Sequence, residues 1–325
     1  MPQNIYILCP GGLVTGGPEL LHQLADALNR SGHRAFMLYA PLDRTHETPA
    51  PYLRYSAPAA VKPRFTGDDI VVMPEVFIRE AARFAPAKVY FWWLSVDNFY
   101  VSVDATRLAR YFGKGFARRL AIWRLRKHVD THLYQSEYAR LKLVETSLSP
   151  AAPLSDYLAE EFLEAISAPS IVPREDIVAF NPAKGKTQTD AIFAALERDG
   201  LPLPRLTPIV GMSREEIRDL LSRAKVYIDF GNHPGKDRIP REAAAMGACI
   251  LVNKRGSASN PIDIPIPARF KIDDSSPEFA KEAAAAIRSL LADFASASDE
   301  FSSYRRYIAE EPARFLEQVS EAFPS

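Results

Sequence analysis

The sequence predicts an α/β protein of two domains, and three observations predict it. Short apolar runs alternate with helix-periodic stretches along both halves, as at residues 5–9 before 18–29 and at 226–230 before 239–246. The loops between such runs and the following helices are rich in glycine and charge, and in parallel sheets ligands sit at loops of that kind. The length, 325 residues, is that of about two ordinary domains.

Composition narrows the function classes. Hydrophobic residues are 47% and charged residues 25%, as in globular proteins with a sizeable core. Forty basic residues balance forty acidic ones, so the chain carries no global nucleic-acid signature. Cys9 and Cys249 fall on or beside expected buried strands in different halves; a structural disulfide is not expected, and a reducing cytoplasm fits. Residues 1–4 are polar and the apolar run 5–9 is short, so no signal peptide is expected. No apolar run approaches the ~20 residues of a membrane-spanning helix.

The first half opens with a strand at 5–9 and the loop PGGLVTGG at 10–17, followed by a helix over 18–29 whose Leu20, Leu21, Leu24, Ala27 and Leu28 recur at helical spacing. A strand at 35–39 completes a βαβ start. Gly11, Gly12, Gly16 and Gly17 let backbone come close to a phosphate or sugar. Their spacing does not fit the dinucleotide fingerprint, and no acidic residue ends the second strand, which argues against a dinucleotide oxidoreductase. Residues 41–67 read as loop; strands follow at 69–73 and 88–94. Asp97, just past the fourth strand, is placed to orient a sugar hydroxyl, to act as a base, or simply to cap a helix.

Residues 107–127 carry eight basic side chains and no acidic one, with Tyr111, Phe112, Phe116 and Trp123 interleaved. A helix of this composition can lie on an anionic membrane surface, hold a lipid phosphate or anionic saccharide, or present a solvated face over an aromatic core. No recognition motif accompanies it, so nucleic acid is not the expected partner. A strand at 130–135 and a helix at 136–144 capped by Ser136 close this half, and SLSPAAP at 147–153 reads as the linker.

The second half begins with a helix at 156–166 and a strand at 176–180 that runs into NPAKGKTQTDAIFAAL. Gly185-Lys186-Thr187 is not a phosphate-binding P-loop, because Phe180 stands where that motif needs glycine. Lys184 and Lys186 nevertheless sit at a helix start, where they can face a diphosphate. A strand at 206–210 leads through Gly211 and Met212 to a helix at 214–222, with Ser213 and Glu216 spaced as a capping box. The strand 226–230 then feeds a loop with His233, Gly235, Lys236, Asp237 and Arg238, a helix over 239–246, and a strand at 249–252. Amides at that helix start, with Lys236 and Arg238, offer a phosphate seat, and Glu242 one turn on can accept from a sugar hydroxyl. The competing reading is a solvated loop whose charges pair with one another. A strand at 268–272 and helices at 277–294 and 300–315 finish the chain.

Taken together, GGLVTGG, THLYQSEYARLKL, FNPAKGKTQTDAIFAAL, GMSREEIRDLLSRAKVYIDFG and PREAAAMGACILVNKRGS resemble the GT-B glycosyltransferases, in particular the retaining nucleotide-sugar-dependent group, over almost the whole chain. The resemblance implies two Rossmann-like domains facing a cleft: an acceptor-side domain at 1–150, a donor domain at 151–299, and a C-terminal helix in 300–325 crossing back. It implies a donor site at Gly12, Gly16, Gly17, Lys184, Lys186, Gly211, Met212, Gly235, Lys236, Arg238 and Glu242. Glu242 matches the second glutamate of the group's E-x7-E pattern, which holds the donor ribose; the first falls on Pro234. His233, Lys236 or Arg238 is expected to take over the lost role, and Asp97 stands where the group often has a histidine. Asp97 and His233 are thus the expected catalytic residues, and Arg107, Arg110, Lys114, Arg118 and Arg119 the expected acceptor or membrane contacts.

The expected function is transfer of a sugar from a nucleotide-diphosphate donor to a saccharide or lipid-linked acceptor, such as a polysaccharide precursor. It is expected to proceed in the cytoplasm or against the inner face of a membrane, without metal or any cofactor besides the nucleotide sugar. A sugar-nucleotide epimerase and a non-catalytic nucleotide-binding or membrane-associated protein are the alternatives.

Overall fold

A computed structural model describes residues 3–168 and 172–324. The chain divides into two compact units, Met1–Asp156 with Ala313–Ser325, and Tyr157–Pro312.

The first unit is built on six strands: β1 (Ile5–Pro10), β2 (Ala35–Ala40), β3 (Ile70–Pro74), β4 (Lys88–Trp93), β5 (Thr131–Tyr134) and β6 (Pro150–Pro153). They form one parallel sheet in the order β2-β1-β3-β4-β5-β6. The central strands are apolar on both faces because helices cover both. Trp92 and Trp93 accordingly point opposite ways: the Trp92 indole donates to the Leu154 carbonyl (2.7 Å) and that of Trp93 to His132 (3.2 Å). The helices are α1 (Gly16–Arg30), α2 (Val96–Asp104), α3 (Arg107–Phe112), α4 (Lys114–His128) and α5 (Glu137–Glu145), and Ser136 caps α5 as expected, accepting from the Ala139 amide.

Two expectations need correction. The segment 147–153 is not a free linker, because Pro150–Pro153 is the sheet's last strand, and proline is tolerated there since an edge strand leaves amides without ladder partners. The basic run 107–127 is not one helix: Gly113, at φ +84, breaks it into α3 and α4. At the opposite edge β2 is covered by a short loop, with Met37 donating to the Pro58 carbonyl and accepting from the Ala60 amide.

The second unit carries α6 (Glu160–Ser167), β7 (Glu175–Phe180), α7 (Lys186–Arg198), β8 (Arg205–Pro208), α8 (Arg214–Arg223), β9 (Ala224–Asp229), α9 (Arg238–Ala245), β10 (Cys249–Asn253), β11 (Lys271–Ile272), α10 (Phe279–Ala292), α11 (Phe294–Asp299) and α12 (Ser302–Ala309). Its sheet is parallel in the order β11-β10-β9-β7-β8. The helix expected over 300–315 is divided; α12 is followed by α13 (Glu311–Ala322), and from Ala313 onward the chain belongs to the first unit. There Gln318 accepts from the Ser155 amide (2.7 Å) and Phe323 stacks on Tyr90 (5.6 Å). Both cysteines are buried free thiols, which burial pushes up to about 12.

Candidate functional site

In the second sheet the chain leaves β7 toward β8 on one side and returns to β9 on the other, so β7 and β9 flank the topological switch point. Ligands of open parallel sheets bind outside the carboxyl ends of the strands at such a point. Here those ends lead into α7 and α9. The two loops touch: Gly185 adopts φ +61, and a Cβ there would lie 2.2 Å from the Phe230 carbonyl oxygen. The loop after β9 is clamped from below. Asp229 accepts from the Gly231 amide (3.0 Å) and the Tyr227 hydroxyl (3.1 Å), and Asn253 donates to the Gly231 carbonyl (2.9 Å). Ser257 donates through its amide to the His233 carbonyl (2.9 Å) and through its hydroxyl to that of Gly235 (2.6 Å).

His233 is fully buried at φ +46, with Nδ1 2.9 Å from Asp237 and Nε2 3.6 Å from Asp229. Burial alone would lower its pKa, but the close approach of the Asp237 carboxylate and the charge of Asp229 outweigh it and raise the value above that of a free imidazole. Asp237, which burial would raise, is held below the usual carboxylate range by His233 and Lys184, whose Nζ is 2.8 Å away.

Asp237 occupies the N-cap position of α9, yet its carboxylate makes no bond to that helix's amides. His233 and Lys184 have diverted it. The N-terminus of α7 also lacks a side-chain cap, its N-cap being Gly185. By contrast α8 carries the complete Ser213–Glu216 capping box. Two sets of helix amides at the switch point are therefore open to an anion. One ligand atom each from Asp229, His233 and Asp237 lie within 4.8 Å of one another, a grouping that can also hold a metal ion. Lys184 and His233 already offset the two carboxylates.

Of the expected donor residues, Lys184, Gly235, Arg238 and Glu242 come together here, with Arg238 3.4 Å from Glu242 one turn along α9. Three expectations are corrected. His233 is enclosed between two carboxylates and holds the loop, so it presents no open face as a catalytic residue. Lys236 turns inward, its ammonium 3.0 Å from buried Glu311 and over the Tyr307 ring. Lys186 lies along the exposed side of α7, paired with Asp190 at 2.7 Å. Gly211, at φ +66, and Met212 follow β8 at the same edge of the sheet. The reading of the sequence missed Gly185 and Asp229, although a lone acid ending an apolar strand was visible; it also missed Glu311, which nothing local announces.

In the first unit the equivalent switch point lies between β1 and β3. Gly12 is at φ +73, Gly16 and Gly17 open α1, and its N-cap Thr15 is held through its backbone by the Tyr52 hydroxyl (3.0 and 2.9 Å). Asp97 sits in the first turn of α2 and accepts from the Tyr138 hydroxyl (3.1 Å); the cap itself is Ser95, not Asp97. Just past β3, buried Glu75 accepts from the Leu94 amide (3.2 Å). Burial pushes its carboxyl up to about 7, against backbone hydrogen bonds that favour the carboxylate. The folded group then keeps its proton to about pH 7 whereas an ordinary one loses it near 4.5, so stability falls as pH rises through that window. Chemical denaturation between pH 4 and 8 should show a fall of about 3 kcal/mol from this group, absent in Glu75→Gln; identical profiles would exclude it as the source. Among the basic residues, Arg118 and Lys114 pair with Asp104 (2.6 and 3.6 Å), while Arg107, Arg110 and Arg119 are exposed.

Neither a protein-family model nor any curated protein matches the sequence. Solved structures do. The HepE protein of Anabaena, in complex with UDP, is 12% identical with a TM-score of 0.64 over 99% of both chains. A glycosyltransferase from Rickettsia africae gives 14% and 0.63 over the whole of both chains. Sucrose-phosphate synthase from Thermosynechococcus elongatus gives 13% and 0.61 over 99% of this chain and all of the other. The chain has the GT-B fold. At these identities the likeness is one of fold, so chemistry rests on the side chains above; in this GT-B chain they gather at the β7–β9 switch point.

Proposed function

We propose that this protein is a glycosyltransferase that takes a sugar from a nucleotide-diphosphate donor bound at the β7–β9 switch point. One observation carries the reading: α7 and α9 both lack side-chain caps there, and Lys184 and Arg238 stand beside them. Loss of the glycosyl group leaves negative charge on the diphosphate. Preorganised amides and cations stabilise that charge without reorganising at the moment of reaction. Glu242, on the same helix, accepts from the donor ribose. The structures of HepE with UDP, and with UDP and glucose, support the choice of donor class. With its charge met by amides and cations, the diphosphate needs no metal in this reading, and no other cofactor is invoked. The acceptor is a saccharide, free or lipid-linked, and the two unpaired thiols favour a cytoplasmic setting.

Thermal shift against nucleotide diphosphates and nucleotide sugars tests the site. A ligand at ~100 times its dissociation constant should add about 2.7 kcal/mol. Arg238→Ala and Glu242→Ala should each abolish most of the shift. No shift with any nucleotide, or an unchanged shift in both variants, would sink the donor site. Conversion of the donor in the absence of any acceptor would point to an epimerase on the same fold.

A further inference from the structure

The geometry points to the α3–α4 face of the first unit as a docking surface for an anionic phospholipid bilayer, with a built seat for one lipid phosphate. Four aromatic side chains stand in solvent there: Tyr111 is 76% exposed, Phe112 67%, Trp123 51% and Phe116 46%. They form a set. Phe116 and Trp123 are two helical turns apart and share one stripe of α4, opposite its buried Ala117, Ala121 and Leu125. Phe112 packs on Phe116 across the Gly113 break, ring centroids 5.7 Å apart. A soluble helix normally turns such residues inward; here the inward face of α4 packs on α2 and the Glu75–Phe84 segment.

The segment that builds this patch carries charge of one sign. No acidic residue occurs from 107 to 127. Lys114 and Arg118 share the single carboxylate of Asp104, and Lys127 lies over the Trp123 ring at 4.9 Å. About a quarter-turn round α4 from that stripe, on the side of buried Ala117 and Ala121, a cavity of about 500 Å³ opens between α2, α3, α4 and the Glu75–Phe84 segment. Its floor is apolar, with Ile78, Val103, Leu108 and Leu120. Arg79, Arg107 and Arg124 also line it, and among the described residues none of the three is within ion-pair distance of a carboxylate. Three arginines and apolar side chains lining one cavity suit a headgroup phosphate with its glycerol and upper acyl chain. Aromatic side chains at the headgroup level and arginines facing anionic lipid are how a protein without a spanning helix holds to a membrane. This inference does not depend on the donor site, and either can fail alone.

The test is co-sedimentation of the full chain with vesicles of phosphatidylcholine, and of phosphatidylcholine mixed with phosphatidylglycerol. Binding is expected to the mixed vesicles only and to weaken with salt. Each arginine near such a surface is worth about fivefold in partitioning, so Arg107→Gln with Arg124→Gln should bind more than about tenfold more weakly. Phe112→Ala with Trp123→Ala should also weaken binding, and both variants should keep the thermal midpoint because these side chains are largely outside the core. Equal binding to the two vesicle types, or none, overturns the proposal. So does full binding by the arginine variant, or a preference for RNA or DNA over vesicles that these arginines carry.

Discussion

Glu311→Ala should lower the stability of the second unit by about 3–5 kcal/mol, the cost of breaking a buried ion pair from one side. Glu311 holds two cations at once. Lys236 Nζ lies 3.0 Å from one carboxylate oxygen and Arg241 Nη1 2.8 Å from the other, and the carboxylate side chain is 1% exposed. Arg241 is as deeply buried and also donates to the carbonyls of Lys236 and Asp237. Without Glu311 two positive groups stay out of water with no carboxylate between them. At roughly 2–4 °C per kcal/mol for a unit of this size, the melting temperature should fall by about 10 °C. Glu311→Gln should recover little, since it restores shape but not charge. Urea titration followed by far-ultraviolet circular dichroism measures it, with Lys186→Ala as the control at an exposed pair. A loss under about 1 kcal/mol would place the pair among surface ion pairs in effect, and would contradict the burial described here.

The second large effect is expected at Gly185. Gly185→Ala should cost about 2–5 kcal/mol, combining a left-handed backbone with an overpacked contact. The added Cβ would meet the Phe230 carbonyl oxygen at 2.2 Å and the Gly231 nitrogen at 3.1 Å, and these are backbone atoms that cannot rotate aside. The loop after β9 must move, and with it His233, Asp237 and the start of α9. Nucleotide binding should therefore fall much further than stability alone explains. Gly211→Ala separates the two causes: it has φ +66 but no atom within 4 Å of its Cβ position, so it should show only the backbone cost of about 1 kcal/mol. Equal losses at both glycines would remove the argument for contact between the two loops.

The parallel sheets were legible because buried strands are short apolar runs and the helices between them keep a 3.6-residue period. The capping box of α8 was visible to the residue, since Ser213 and Glu216 are close in sequence. Lys184, Arg238 and Glu242 were singled out because they follow strand ends, and the fold sets them around the β7–β9 switch point. What local pattern could not show was pairing over distance. Lys236 reads as a phosphate ligand until Glu311, 75 residues later, is seen to hold it. His233 reads as a free imidazole until Asp229 and Asp237 close on it from four residues either side. The segment 75–84 went unread for another reason: its buried Ile78, Ala81 and Phe84 recur every three residues, the period of a 3-10 helix rather than that of an α-helix. Gly113 was a visible break inside 107–127, overridden by the continuity of charge.

The prolines of β6 have a further consequence. A parallel sheet of six strands ends in rows of unpaired amides and carbonyls, which invite pairing with any other extended chain. On one side the 58–60 loop already occupies β2. On the other, Pro150 and Pro153 have no N–H to offer, leaving Ala151 and Ala152 as the strand's only amides. The sequence that looks like a linker is a stop signal for strand addition, because two of the strand's four residues cannot donate to a further strand.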